Sequence, residues 1–406
     1  MSDLFQEQLQ ALRSHSLHRK LREIGSAQGP EIEIVGRHLV NFSSNDYLGL
    51  ANDPLLKKAA IDAIEKFGVG AGASRLVSGT QSPHVALEAA LAKWKRAPVA
   101  LAFSSGYAAA VGVLPAIASK QDVIILDKLS HASLIDGARL SGATVRVFPH
   151  NHLGKLESHL EWAQRELPEA RRVVVTESVF SMDGDQAPLR ELIELKKRFG
   201  AVLLLDEAHA IGVVGPNGRG LAAELGLDGE VDVQLGTLSK ALGVSGGYVC
   251  GSRTLIDWLI NRARSFVFST APPPALAAAA TAAIEFLATS DGELRRLALW
   301  QRIVRLRQEL PVSRETAGPA TSAIIPWMVG DEQRALDLAL SLRQAGLLVP
   351  AIRYPTVARG AARLRITLSA SHTDAQIAQL GEALRRVSAS DYGCDAAERR
   401  RSGVGT

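Results

Sequence analysis

With 406 residues and 47% hydrophobic side chains, the chain has room for one large α/β domain and a smaller partner, so core size is not limiting. Its 46 basic residues against 42 acidic ones leave a net charge of +4, which gives no footprint for a nucleic acid. The two cysteines, Cys250 and Cys394, exclude a disulfide framework and any zinc spacing, so no metal site is expected.

The opening residues MSDLFQEQLQ carry Asp3 and Glu7 where an export signal needs a basic and then an apolar run, and a cytoplasmic protein is expected. Leu4, Leu9, Leu12, Leu17, Leu21 and Ile24 fall near helical spacing and predict an amphipathic helix. Gly25 to Pro30 breaks it, and Glu31 to Val40 alternates as a hairpin around Gly36 and Arg37. The polar stretch NFSSNDYLGLA, Asn41 to Ala51, is an irregular segment of the kind that carries site residues. A helix from Asp53 to Phe67 leads into GVGAGASRLVSGT, Gly68 to Thr80. So many small residues imply either a close backbone approach or a flexible connection. After a helix over His84 to Trp94, the uncharged run Ala97 to Ser119 is long enough to suggest a membrane span. Pro98 and Ser104-Ser105-Gly106 divide it instead into a strand, Val99 to Phe103, and a helix, Tyr107 to Ala118. The free N–H groups at that helix start attract phosphate.

From Asp122 onward, short apolar runs alternate with helical stretches: Val123–Leu126, Ala143–Val147, Arg172–Thr176, Ala201–Leu205, Val231–Leu235 and Gly247–Cys250. That alternation calls for a mainly parallel sheet covered by helices. Ligands of such sheets sit outside the carboxyl ends of the strands, where Asp206 and Lys240 both fall. A lysine suits a Schiff base and an aspartate a pyridine nitrogen. Each residue also has an ordinary explanation: Lys240 as a surface lysine, Asp206 as a helix cap, His209 and His131 as structural or loop histidines, and Ser181 as a turn hydroxyl. Beyond residue 285 the texture changes to a charged helix from Leu294 to Leu310, a strand at Ser322–Val329, a helix at Arg334–Ala345 and an alternating strand at Arg363–Leu368. The expected organisation is therefore an N-terminal arm and helix over 1–50, a large α/β domain over 51–284, a smaller α+β domain over 285–394 and a disordered tail over 395–406.

The motifs NFSSNDYLGL, GASRLVSGT, SSGYAAA, DKLSHASLIDG, TESVFSMDGD, LDEAHAIGVVG with GRG, GTLSKALGVSGGYV, FSTAPPP and IRYPTVARGAARLRITLSA follow one another in order. In that set the chain resembles the α-oxoamine synthases, from about Leu12 to Thr373. The resemblance implies an aspartate aminotransferase-like fold, the type I architecture of pyridoxal phosphate enzymes, with the site at a homodimer interface. It implies Lys240, Asp206 and His131 as the catalytic group: Lys240 for the Schiff base, Asp206 on the pyridine nitrogen and His131 stacked on the ring. It also implies His209 on the ring oxygen, Gly106, Tyr107, Ser181 and Thr237 around cofactor and phosphate, and Thr270 reaching the partner subunit's cofactor. For substrate it points to Arg22, Asn45, His131, Thr356 and Arg365, with Arg363 left as a strand-surface arginine. The activity implied is decarboxylative condensation of an amino acid with an acyl thioester. SSNDYLGLA and GAGASRLVSG favour L-alanine with pimeloyl-CoA or a pimeloyl carrier protein. The alternatives are a synthase using glycine with succinyl-CoA or acetyl-CoA, and a catalytically silent cofactor-binding regulator. No nucleic acid or membrane partner is expected.

Overall fold

The computed structural model describes residues 2–310 and 320–401, with side chains described over 5–310 and 320–387. The first helix is α1, Ser2–Ser14, about three turns shorter than a continuous apolar spacing to Ile24 would give. The helix stops because Ser16 turns to φ 57° and the N–H groups of Leu17 and His18 both return to Leu12 O, at 2.8 and 3.0 Å. Arg353 then fixes the non-helical strand of chain that follows, donating to Ser16 O and His18 O at 2.6 and 3.1 Å. The expected hairpin forms as β1, Glu31–Ile34, and β2, Arg37–Asn41. Its turn is Val35-Gly36, one residue earlier than expected, with both residues at positive φ as a two-residue hairpin turn requires.

The chain continues through α2, Pro54–Phe67, capped by Asp53, and α3, Ser82–Lys95. Between them, part of the small-residue stretch makes the close backbone approach expected of it. Arg75–Gly79 coil into a π-helical turn, where a Cβ on Gly79 would lie 2.1 Å from Ala73 O, and Arg75 forms a bidentate pair with Glu88 at 3.0 Å. Then come β3, Val99–Phe103; α4, Gly106–Ile117; β4, Val123–Asp127; α5, Ala132–Leu140; β5, Thr144–Phe148; α6, Leu153–Glu166; and β6, Arg172–Glu177. They are followed by α7, Leu189–Phe199; β7, Val202–Asp206; the short α8, Leu221–Glu224; β8, Val233–Thr237; and β9, Gly247–Gly251. Four helices come next: α9, Arg253–Arg262; α10, Arg264–Val267; α11, Pro274–Leu287; and α12, Ser290–Glu309. The remaining elements are β10, Ile324–Gly330; α13, Glu332–Gln344; β11, Leu347–Leu348; β12, Ala351–Ile352; β13, Ala362–Thr367; and α14, Asp374–Arg401.

These elements form two compact units, residues 45–297 and residues 1–44 with 298–406. The larger unit holds a seven-stranded sheet in the order β3-β9-β8-β7-β6-β4-β5. Every neighbouring pair is parallel except those of β9, which runs antiparallel to β3 and β8. The mainly parallel sheet is thus present, and its central strands are mostly apolar because helices cover both faces. Leu101, Ile124, Leu126, Val173, Val175, Leu204 and Leu235 pack with α4, α5 and α9, each buried side chain contributing about 1.5–3 kcal/mol relative to exposure. The smaller unit holds two three-stranded sheets, β1-β2-β11 and β10-β13-β12.

Arg363 corrects an expectation. It is only 6% exposed, and so is every other residue of β13 buried. Residues two apart on a strand share a face, so Arg363 and Arg365 point the same way, and Arg363 is no surface arginine. The final helix runs through Arg401, its Ala, Glu and Arg content favouring helix, so the tail expected from Asp395 is partly helical and partly outside the described residues. No helix among the described residues is long and apolar enough to cross a membrane.

Candidate active site

In the larger unit, the strand ends that carry chemistry share one edge of the sheet. Asp127, Glu177, Asp206 and Thr237 are the last residues of β4, β6, β7 and β8, and the register pairs Glu177 directly with Asp206. Each apolar strand stops where the chain meets a side chain that must reach water or a ligand, which is why the polar residues align.

Lys240 lies in the turn that joins β8 to β9. That turn is closed by Leu238 N to Gly246 O, Gly243 N to Lys240 O and Val244 N to Leu238 O, all at 2.9 Å. Gly243 adopts φ +70°, and a Cβ there would meet the backbone of Leu50 and Ala51 at 2.6 Å, so the lysine turn packs on the NDYLGLA segment. The Lys240 amine stands 2.9 Å from His209 Nε2, and His209 Nδ1 stands 2.7 Å from the Tyr47 hydroxyl. Tyr47 in turn donates to Asn45 Oδ1 at 3.2 Å. Asp206 is buried and accepts Ala208 N at 2.9 Å, a turn bond rather than the helix cap of its ordinary reading, since no helix starts at this strand end. Burial pushes the Asp206 carboxyl above its usual range, against the opposing pull of Lys240. Burial and the charge of Asp206 likewise drive Glu177 up to about 8, Lys240 again opposing.

His131 caps α5 with its ring, accepting Ser133 N at 3.2 Å, and its own backbone N–H donates to Glu177 Oε1 at 2.6 Å. Burial lowers its pKa, then the Lys240 charge lowers it further while Asp206 opposes, so these three groups share one electrostatic neighbourhood. Gly106 opens α4 behind the Ser105 cap, beside Thr237. Thr237 Oγ1 donates to Gly246 O at 2.9 Å and lies 2.7 Å from Ser239 Oγ. Ser181 is buried just beyond β6. Tyr107 is half exposed, its hydroxyl donating to Asp136 at 2.8 Å, which raises its pKa. Thr270 is exposed and bridged to Ser74, on the segment before α11.

These groups fit pyridoxal phosphate. An amine stands beside an imidazole, a buried carboxylate lies at the same edge with an excess of acid that a cationic ring nitrogen would relieve, and a helix start flanked by hydroxyls suits a phosphate. In the smaller unit, Thr356 accepts from Arg19 Nη2 at 3.0 Å, and Arg19 and Arg22 are both exposed. Arg365 is 5% exposed at the centre of β13. A cleft of about 640 Å³ lies at the opposite edge of the large sheet, between Val202, Gln234, Gly251 and Trp258, and contains none of these residues.

Three groups at this edge escape a motif reading. Glu177 obeys the strand-end logic that singled out Asp206, and Tyr47 belongs to the irregular stretch already marked as site-like. His150, at the end of the β5 strand-loop, bridges Asp127 Oδ1 at 3.1 Å and Asp185 Oδ2 at 2.7 Å. It therefore ties the loop leading to His131 to the loop carrying Ser181. Burial alone would lower its pKa, but the bonds to Asp127 and Asp185 prevail and raise it from 6.5 to about 10. A raised folded-state pKa contributes stability that is complete below pH 6.5 and is lost as pH climbs through about 10. The wild-type melting temperature should accordingly fall towards that of His150→Gln between pH 7 and 10; parallel curves over that window would exclude the clamp.

The class I and II aminotransferase family profile matches residues 37–384. The 8-amino-7-oxononanoate synthase of Anaeromyxobacter dehalogenans is 50% identical over 370 residues, covering 91% of this chain and 92% of that protein. A serine palmitoyltransferase from S. paucimobilis, solved with PLP and myriocin bound, superposes with a TM-score of 0.90 at 32% identity, covering 96% of this chain and 98% of that one. The 8-amino-7-oxononanoate synthase of Francisella tularensis superposes with a TM-score of 0.72 at 29% identity, covering 87% and 99%. The chain belongs to the class I and II aminotransferase family and, within it, to the pyridoxal phosphate-dependent acyltransferases of the 8-amino-7-oxononanoate synthase type.

Proposed function

We propose that this chain joins L-alanine to a pimeloyl thioester, carried by CoA or an acyl carrier protein, to give 8-amino-7-oxononanoate, carbon dioxide and free thiol in biotin biosynthesis. The observation that carries the reading is the Lys240 amine 2.9 Å from His209 on the sheet edge that ends in Asp206, in a chain half identical to synthases of that name. Bound pyridoxal phosphate supplies an electron sink for the pairs released by deprotonation and by decarboxylation at one carbon. Lys240 takes the α proton from alanine and returns a proton to the same carbon once carbon dioxide has left. Asp206 keeps the proton on the pyridine nitrogen, a cation that compensates the cost of its own burial. His209 faces the ring oxygen, His131 covers the ring face, and Gly106, Tyr107, Ser181 and Thr237 receive the phosphate and its surroundings.

For the amino acid carboxylate, Arg365 offers a fork of donors, with Asn45 and His131 as further contacts. Thr356 serves the substrate with Arg22 of the N-terminal arm or its neighbour Arg19, which donates to Thr356. The working form is a cytoplasmic homodimer in which Thr270 serves the partner subunit's cofactor phosphate.

The serine palmitoyltransferase superposes more fully than the F. tularensis synthase, so serine belongs beside glycine as a competitor. Thiol release should be measured with alanine, glycine and serine against pimeloyl, acetyl, succinyl and palmitoyl thioesters. Alanine with a pimeloyl thioester is expected to be fastest. Preference for glycine or serine would move the chain to another branch, and no release with any pair would favour a silent cofactor-binding module.

A further inference from the structure

We infer that Glu177 is a positioning residue: its carboxyl ties the main chain of His131 to the strand edge that ends in Asp206, and so sets where the imidazole at the start of α5 stands. Sheet order puts it between the two. β6 lies between β4 and β7, so the end of β6 separates Asp206, at the end of β7, from the segment that runs from β4 into α5. From there Glu177 Oε1 accepts the His131 N–H at 2.6 Å. The direction of that bond is not open to choice, because a main-chain N–H can only donate.

Two further ties, Leu129 N to Asp127 Oδ1 at 2.7 Å and Ser130 N to Asp127 O at 3.1 Å, hold the segment before it reaches His131. The His131 ring is held separately, its Nδ1 accepting Ser133 N at 3.2 Å within the first turn of α5. Ser133 thus governs how the ring is turned, and Glu177 where the backbone that carries it stands. The place is a costly one for an acid. Glu177 is 2% exposed and is paired in register with a second buried acid, Asp206, a cost that an apolar side chain at this strand end would avoid. The bond to His131 gives the carboxyl a reason to be there. Burial, then the charge of Asp206 and last that of Asp127, push it up to about 8, while Lys240 and the His131 N–H oppose. The acid form still has a carbonyl oxygen with which to accept, so the tie holds whether or not the group is ionised. Glu177 is therefore needed for its oxygen and its reach rather than for its charge.

The weight of this tie in turnover rests on the ring-facing role proposed for His131, whereas the tie itself belongs to the chain without cofactor. It is read on full-length protein carrying ¹⁵N-histidine, with and without added pyridoxal phosphate, using His131→Gln to assign the main-chain signal. Without cofactor, the His131 N–H is expected at low field and slow to exchange with deuterium. Glu177→Gln, which keeps an oxygen at the same reach, should leave it there. Glu177→Ala, and Glu177→Asp with one methylene fewer, should move it upfield and speed its exchange while the other histidine N–H signals stay in place. In the loaded enzyme those two variants should lose about tenfold to a hundredfold in kcat with KM little changed, and Glu177→Gln should recover most of the loss. An unmoved His131 signal in Glu177→Ala overturns the inference. So does the reverse order, in which Glu177→Asp keeps the rate and Glu177→Gln loses it, since charge would then be what matters. If Glu177→Ala does not fold, the Gln and Asp variants decide by the same two readouts. A chain whose His131 N–H follows the expected order yet makes no 8-amino-7-oxononanoate would sink the proposed function and leave the tie standing; product formed beside an unmoved signal would do the opposite.

Discussion

Lys240→Ala is expected to abolish turnover and to remove the visible absorption that a lysine-linked cofactor gives, although pyridoxal phosphate should still bind through the remaining groups. The expectation follows from geometry. The structure sets the amine against His209 Nε2, in a turn pinned by three backbone bonds of 2.9 Å. Alanine leaves that turn intact because the bonds are main-chain, so the loss is chemical and the melting temperature should stay close to wild type. Absorbance between the free and bound cofactor forms, measured beside single-turnover thiol release, checks both halves. Retained turnover would remove Lys240 from the account.

The second large effect is on stability, and it comes from a pair with no catalytic role. Lys95 and Glu207 are almost completely buried, with Lys95 Nζ 2.5 Å from Glu207 Oε2. Lys95 also donates to Arg219 O, and Glu207 Oε1 accepts Ala222 N at 3.1 Å. Glu207 directly follows Asp206, so the pair anchors the far side of the segment that carries Asp206 and His209. Removing one member leaves an uncompensated buried charge, which costs about 3–5 kcal/mol. Lys95→Ala should therefore lower the urea midpoint sharply, and Lys95→Met with Glu207→Gln should recover much of the loss because no buried charge remains. A single variant with an unchanged midpoint would mean that the pair is solvated in the folded protein.

The strand ends illustrate what sequence could and could not convey. Runs such as Val123 to Leu126 announce themselves because a strand covered on both faces holds few polar residues, and the register then lines up the residues that follow. The same logic extends to Glu177, whose position at a strand end equals that of Asp206; only its lack of an assigned cofactor contact hid it. The strand expected at Val231–Leu235 lies at Val233–Thr237 because its closing residues, Gly236 and Thr237, are not apolar and carry no hydrophobic signal. Other features depend on residues far away in the chain. Nothing near Ser14 shows that α1 must end there, since Arg353 holds the backbone beyond it. Arg19 likewise meets a partner, Thr356, more than three hundred residues later. His150 gives no local sign of the two carboxylates that raise its pKa. The candidate site residues stood out because the chemistry proposed for them restricts their types, whereas their supports did not, because packing alone selects them.

The central claim is that one carbon of alanine loses a proton, gains an acyl group and loses carbon dioxide on the Lys240 and Asp206 edge. The most direct measurement is mass analysis of the products formed by the purified chain, pyridoxal phosphate, ¹³C-labelled L-alanine and pimeloyl-CoA. The account predicts 8-amino-7-oxononanoate, with labelled carbon dioxide and free thiol in equal amounts and none of the three from Lys240→Ala. Thiol release without labelled carbon dioxide, or a condensed product that keeps the alanine carboxylate, would contradict it.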